Sequence, residues 1–367
     1  MDDFRKITIV GMGLIGGSLA LALKKIGYTG QVTGSDRDDD ILNQALQMQA
    51  VDVATSNAEE AVLDADLVII AVSVGQYMEV FKEIGPFLKE GAIVTDVGSV
   101  KNYAIEIATR YLPQYVEFLG GHPMAGSEKD GFRAASPYLY ENAYYFLTPM
   151  AQNTDSTIIK LKSFIRSLGA YPICTNALEH DRIVARISHM PHLSAVLLVN
   201  LLGQGKSDHY LSFAGGGFRD TTRIASGNPK LWKDIILLNK KEIIQEIQLM
   251  QEMFGKFKNF LEENKEQDVF DMLKNAKKVR DQIPVRLKDG LPPIYETIVV
   301  AGDRPGILAE LTKIIGDSGI NIKEIEILHS REYEKGAIRF GFECEEDEKN
   351  VVLLLKKAGY RVSNKSR

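Results

Sequence analysis

The sequence predicts three successive folds: a doubly wound α/β domain over residues 1–175, an all-α helical domain over 176–290, and a ferredoxin-like α+β module over 293–367. Three observations carry this. Up to Thr175, apolar strands without alternation are separated by helical patterns, the mark of a parallel sheet covered on both faces. From Ala177 to about Arg280 helical periods dominate, broken only at Gly203–Ser207, Gly215–Gly217 and Asn228-Pro229. Past the linker-like Lys288-Asp-Gly-Leu-Pro-Pro293, the order of patterns is βαββαβ.

In chain order, Lys6–Gly11 reads as a short buried strand and Leu14–Ile26 as a helix closed by Gly27. Gln31–Ser35 is a second strand and Asp38–Met48 a helix. Asp66–Val72 is the most apolar strand, Gln76–Leu88 has helical spacing, and Ala92–Asp96 is a further strand. Tyr115–Leu119, Ala143–Leu147 and Tyr171–Thr175 complete the sheet, with a helix at Asp155–Leu168. In the helical domain, Leu231–Phe260 is long and amphipathic, and the domain's size and apolar content suit a dimer face. The charge-rich run Lys256–Lys288 reads as a solvated helix face. The last module has strands at Tyr295–Ala301, Ile320–Leu328, Ala337–Glu343 and Tyr360–Val362, with helices at Gly306–Asp317 and Asp347–Lys357.

Composition excludes several classes. The 367 residues are 45% hydrophobic and 25% charged, long enough for two or three cores. With 44 basic and 49 acidic side chains the net charge is −5, which argues against a general basic field for nucleic acid. Cys174 and Cys344 form no paired spacing, so neither a disulfide scaffold nor a structural zinc site is expected, and a reducing cytoplasm fits. The start runs directly into an apolar strand, without a signal-peptide pattern. The longest apolar stretches are about half the roughly 20 residues that span a bilayer.

Gly11-Met-Gly13-Leu-Ile-Gly16 matches G-x-G-x-x-G between the first strand and first helix. Gly11 permits the tight turn, Gly13 the approach of a pyrophosphate, and Gly16 close packing of helix on strand. Asp36 ends the second strand about 20 residues later, placed to accept hydrogen bonds from ribose hydroxyls and to repel a 2′-phosphate. NAD is therefore expected over NADP, with Arg37 beside Asp36 as the countervailing charge. Leu14, Ile15, Val72 and Ser73 are assigned to the same cofactor site.

His122, in Gly120-Gly-His-Pro-Met-Ala-Gly-Ser127-Glu128, follows a strand of the sheet, where ligands collect and a neutral imidazole can take a hydroxyl proton. A structural histidine is the alternative. Ser99, in Asp96-Val-Gly-Ser-Val-Lys101, either hydrogen-bonds a ligand or caps the next helix. His189 and His192 have i,i+3 spacing, but no carboxylate cluster is evident nearby in sequence and Pro191 intervenes, so no metal site is expected. Arg219, Asp220 and Arg223, after a triple glycine, suit either an anionic substrate or a surface ion-pair network.

Together, Gly11–Gly16, Asp96–Lys101, Gly121-His-Pro-Met-Ala-Gly126, Ser188-His-Met-Pro-His192 and Gly217-Phe-Arg-Asp-Thr-Thr-Arg223 resemble the prephenate dehydrogenase (TyrA) family over the whole chain. The module holding Asp303-Arg-Pro-Gly-Ile-Leu308 and Gly319-Ile-Asn-Ile322 resembles an ACT domain. The resemblance implies a Rossmann-type domain and NAD-dependent oxidative decarboxylation of prephenate to 4-hydroxyphenylpyruvate and CO₂, on the route to tyrosine. It assigns the ring-hydroxyl proton to His122, assisted by Ser99, and a substrate carboxylate to Arg223. His192, Ser127, Arg219 and Asp220 would line or gate the pocket of a homodimer. Tyrosine would bind the ACT module near Asp303, Gly306, Ile307 and Leu308, with Asn321. Arogenate dehydrogenase, with Glu128 near an ammonium, is the rival substrate reading. A β-hydroxyacid dehydrogenase is a rival enzyme, and a non-catalytic NAD-sensing regulator is the rival from another class.

Overall fold

A computed structural model describes residues 3–127, 129–203, 208–283, 295–302, 304–328 and 337–364. The chain forms two compact units, one ending at Asp271 and the other beginning at Met272.

The first unit opens with β1 (Lys6–Val10), α1 (Leu14–Lys25), β2 (Gln31–Ser35), α2 (Asp39–Gln47), β3 (Val53–Thr55), α3 (Ala58–Val62), β4 (Leu67–Ile70), α4 (Tyr77–Ile84), β5 (Ile93–Asp96), α5 (Lys101–Tyr111) and β6 (Glu117–Phe118). Their strands form one parallel sheet in the order β3-β2-β1-β4-β5-β6. Every residue of β4 and β5 is buried, which is why these strands carry no alternation. The strand order reverses between β1 and β4, and the crevice at that switch point is where such sheets bind ligands.

Two strands expected in this sheet, Ala143–Leu147 and Tyr171–Thr175, instead join a segment expected as a loop to give the three strands of a second sheet, while Tyr115–Leu119 does supply β6. The three are β7 (Gly120–Pro123), β8 (Tyr144–Thr148) and, after α6 (Asp155–Ser167), β9 (Tyr171–Cys174). β7 pairs antiparallel with β8, and β8 parallel with β9. Gly120 and Gly121 explain the departure. A Cβ at Gly121 would stand 2.6 Å from the Asp96 carbonyl, so glycine lets β7 cross tightly over the end of β5 rather than pair on at the sheet edge.

Helices follow: α7 (Ala177–Val184), α8 (Met190–Leu202), α9 (Gly216–Thr222), α10 (Pro229–Leu238), α11 (Lys240–Glu262) and α12 (Glu266–Gln282). A π-helical turn, Ala185–His189, joins α7 to α8 immediately before Pro191. Proline cannot donate the next backbone hydrogen bond, and the wider turn absorbs the loss. The single helix expected over Leu231–Phe260 is two, broken at Asn239. That buried side chain is held by the Asp181 carbonyl, 2.9 Å from Nδ2. Among the described residues no helix is long and apolar enough to cross a membrane.

The second unit contains β10 (Tyr295–Val300), α13 (Ile307–Gly316), β11 (Glu324–Leu328), β12 (Ala337–Phe342), α14 (Glu345–Lys357) and β13 (Arg361–Asn364). The antiparallel sheet runs β11-β12-β10-β13, the ferredoxin-like order. Its core joins Val299, Phe340 and Phe342 to Leu311 and Ile315 of α13 and to Val351 and Leu355 of α14. The linker residues Lys288–Pro293 lie outside the described residues.

Candidate active site

A cavity of about 560 Å³ opens at the switch point between the glycine turn and the helices beyond α7. Gly11 has φ +97°, and a Cβ there would meet the Ala71 backbone at 2.7 Å, so only glycine makes this turn. Gly16 packs against the Gly11 carbonyl. Beside Gly13 nothing stands within 4 Å of where a Cβ would go, and that space belongs to the cavity. Gly13 also begins α1 without a side-chain cap, so the first helical amides are left for an anion. Asp36 accepts a hydrogen bond from the Met12 amide at 2.7 Å and so clamps the loop to the end of β2. The loop, the uncapped helix and the carboxylate fit a dinucleotide: pyrophosphate at Gly13 and α1, ribose hydroxyls at Asp36. Leu14, Ile15, Val72 and Ser73 line the cavity. Gly11, Gly16, Asp36 and Arg37 do not. The first three shape the loop, while Arg37 turns outward to Glu79 and Glu83 of α4, 3.6 and 4.0 Å away.

Beneath the far end of the cavity lies a buried polar frame. Lys101 and Asp96, both 0% exposed, form an ion pair. Tyr77 donates to Asp96 at 2.8 Å, the Gly98 and Gly121 amides donate to it at 3.0 Å, and Lys101 also donates to the Gly121 carbonyl at 2.5 Å. Burial pushes the Lys101 ammonium below its usual range, against the pull of Asp96. This frame ties β5, α5 and β7 together and fixes where His122, on β7, stands. His122 therefore lies within a strand of the second sheet, not in a loop after the parallel one.

His122 Nδ1 is 2.9 Å from His180 Nε2, and His180 Nδ1 is 2.8 Å from Asp181 Oδ1. Asn176 caps α7 by accepting from the Glu179 amide at 2.8 Å, and so starts the helix that carries both residues. Asp181 accepts from the backbone amides of Lys101 at 2.7 Å and Asn102 at 2.9 Å. It thus caps α5 from 80 positions away. Val100 opens α5 with no side-chain cap, so Ser99 is not the cap and faces the cavity instead. Burial drives His122 well below the ordinary histidine range, with His180 and the Lys101 charge adding to it. Burial also lowers His180, although the Asp181 bond opposes it. Burial would raise Asp181, but the bonds from His180, Lys101 and Asn102 outweigh it and hold the carboxyl low.

The opposite wall comes from the helices. Ser188, His189, Arg223 and Trp232 line it, as does Ser127 from the loop after β7. His192, expected here, does not reach the cavity: it lies flat on the Trp232 indole, ring centroids 3.5 Å apart at 12°. His189, the last residue of the π turn, lines the cavity instead. Arg219 and Asp220 sit exposed on α9, outside the cavity. Sequence reasoning missed His180, Asp181, Lys101, Tyr77 and Asn239. The one signal for the first two was an adjacent His-Asp pair early in a helix.

In the second unit, Gly306 stands at φ +86° and begins α13, Ile307 is buried in the core, Leu308 packs against it, and Asn321 is exposed. Asp303 lies outside the described residues, as does Glu128. A cavity of about 520 Å³ in this unit is lined instead by Ser318, Gly319, Ile320, Asp347, Asn350 and Lys357, among others.

A dinucleotide cradle that opens onto a neutral histidine and a serine defines the class: this is an NAD-dependent oxidoreductase. Comparison narrows it. Residues 19–173 match the nucleotide-binding domain of prephenate dehydrogenase, residues 176–275 its dimerization domain, and residues 295–359 an ACT domain. The prephenate dehydrogenase of Bacillus subtilis is 36% identical over 94% of each chain. The chain belongs to the prephenate dehydrogenase family. A prephenate dehydrogenase of Aquifex aeolicus, solved with hydroxyphenyl propionate and NAD⁺, superposes with a TM-score of 0.72 at 30% identity, over 76% of this chain and 98% of that one. Arogenate dehydrogenase of Synechocystis gives 0.66 at 29%, over 76% and 100%.

Proposed function

We propose that this chain catalyses the oxidative decarboxylation of prephenate to 4-hydroxyphenylpyruvate and CO₂, in the cytoplasm, on the route to tyrosine. The observation that carries this reading is the meeting of His122, Ser99 and Arg223 in one cavity with the glycine turn. When bound there, NAD⁺ supplies the hydride acceptor. His122 takes the proton of the ring hydroxyl at Nε2, the nitrogen opposite its bond to His180. Ser99 Oγ orients that hydroxyl. Arg223 holds a substrate carboxylate through its planar donor fork, and Ser127 lines the same approach. Trp232, Leu231 and Ile235 form an apolar wall that excludes water from the ring. As the ring carboxylate leaves, its bonding electrons complete the aromatic ring.

Absorbance of NADH with NAD⁺ and prephenate, then with arogenate, tests the substrate. Asp130 lines the cavity and is the described acid that an arogenate ammonium would meet. Turnover of arogenate alone would reverse the substrate assignment and keep the chemistry.

Two finer readings accompany this one. The helical region pairs two copies of the chain: Leu197 and Leu201 on α8 and Ile244, Met253 and Phe254 on α11 are large, apolar and exposed. Sedimentation of the full chain checks it, and a monomer would end it. The ACT module lets tyrosine inhibit, supported by the match over residues 295–359. Full tyrosine inhibition of a chain lacking the module would remove that role.

A further inference from the structure

We infer that His180 and Asp181 are positioning residues that set the proton on His122, and that the same carboxylate links this proton to the start of α5. The inference rests on the reading of His122 as the base.

The assignment follows by elimination along the chain of bonds. Asp181 receives the Lys101 and Asn102 amides and the Asn102 side-chain amide, all donors, and is a carboxylate that can only accept. His180 Nδ1, 2.8 Å from the same carboxylate, must therefore carry its proton. A neutral His180 then offers a lone pair at Nε2, so His122 Nδ1, 2.9 Å away, is the donor. That leaves the lone pair of His122 on Nε2, the nitrogen away from His180. His122 is delivered as a base before any substrate arrives.

The relay also serves the charged form. A proton taken at Nε2 makes His122 an imidazolium whose Nδ1–H already points at the His180 lone pair. One ring further lies Asp181, so the positive charge forms in line with a buried carboxylate. This matters because the Lys101 ammonium is the neighbouring cation and opposes it. Both His180 and Asp181 are at most 1% exposed, where such a field is little screened. The geometry has a second consequence. The carboxylate that orients His180 is also the only side-chain cap on the first amides of α5 among the described contacts, and α5 carries Lys101, the cation of the frame under β7.

The test uses the full chain with ¹⁵N-labelled histidine. Nuclear magnetic resonance of the free enzyme reads which ring nitrogen of His122 is protonated, assigned by the loss of signals in His122→Asn. The expected result is a protonated Nδ1 and a bare Nε2, with His180→Leu scrambling the two. A wild-type His122 protonated at Nε2 overturns the inference. Kinetics give the second arm. His180→Leu keeps the α5 cap, whereas Asp181→Asn disturbs it. Each is expected to lower kcat on prephenate about 10²–10⁴-fold with NAD⁺ affinity retained, and neither to lower it further in a His122→Asn background. Multiplicative losses in that background would show a merely structural role and overturn the inference. Should the wild-type chain fail to oxidise prephenate, the functional reading falls while the resonance arm still decides the proton.

Discussion

The two compact units place their charges in opposite settings. In the first, Lys101, Asp96, His180 and Asp181 are all buried, and each is bound by at least two partners. In the second, Arg304–Glu310 and Lys349–Glu345 stand in solvent around a core of aliphatic and phenyl side chains. Among its described residues, apolar packing fills the interior of the second unit and most ion pairs are exposed, the half-buried Arg339–Glu296 pair being the exception. The first unit spends stability on desolvated charge, and what it gains is a histidine held in one place with one protonation state. Buried polar frames of this kind mark where position matters more than packing.

The sharpest break of the comparison is chemical. His122→Asn is expected to lower kcat about 10²–10⁴-fold with KM nearly kept, measured by steady-state NADH formation. Next comes the frame. Lys101→Met strips the partner from a buried Asp96 and is expected to cost about 3–5 kcal/mol of unfolding free energy, read by urea denaturation. Acid acts on the same unit. His189 is lowered to about 4, chiefly by burial, and His122 and His180 are lowered for the same reason. A group whose folded value is depressed takes its proton first in the unfolded chain. Stability of the first unit should therefore be full above pH ~6.5 and fall as pH drops toward 4, by roughly 3 kcal/mol for His189 alone. Among the described residues of the second unit there is no histidine to add to this loss.

Arg223→Ala tests the exposed rim of the cavity. It should raise KM for prephenate about 10–100-fold, the worth of one charged hydrogen bond, with kcat far less affected. The smallest effect is expected at Arg304→Ala. Its partner Glu310 is solvent-exposed, so the denaturation midpoint should not move measurably. A large shift there would erase the contrast between the units.

What the sequence disclosed divides along physical lines. The glycine turn, Ser99 and His122 are short-range features, each fixed by neighbours within a strand-end loop or strand, and they meet in the cavity. The βαββαβ order was readable because period and turn residues are local. The relay was not. His180 stands 58 positions from His122 and Asp181 80 positions from Lys101, and no spacing rule connects single residues across two folds. The second sheet was hidden for a related reason: β8 has the apolar content of a buried strand, and only the crossing of β7 at Gly121 decides which sheet it joins. His189, at the end of the π turn, lines the cavity wall, whereas His192 is stacked on Trp232, a contact between α8 and α10 that no local spacing announces. Asn239 broke a helix that periodicity made continuous, because its amide is committed to the Asp181 carbonyl and to His189 Nδ1, 3.2 Å away.

The most direct test of the central claim is the stoichiometry of the reaction. The wild-type chain, given NAD⁺ and prephenate, should release one CO₂ for each NADH, with 4-hydroxyphenylpyruvate accumulating at the same rate. NADH without CO₂, or no NADH from this substrate, would contradict it.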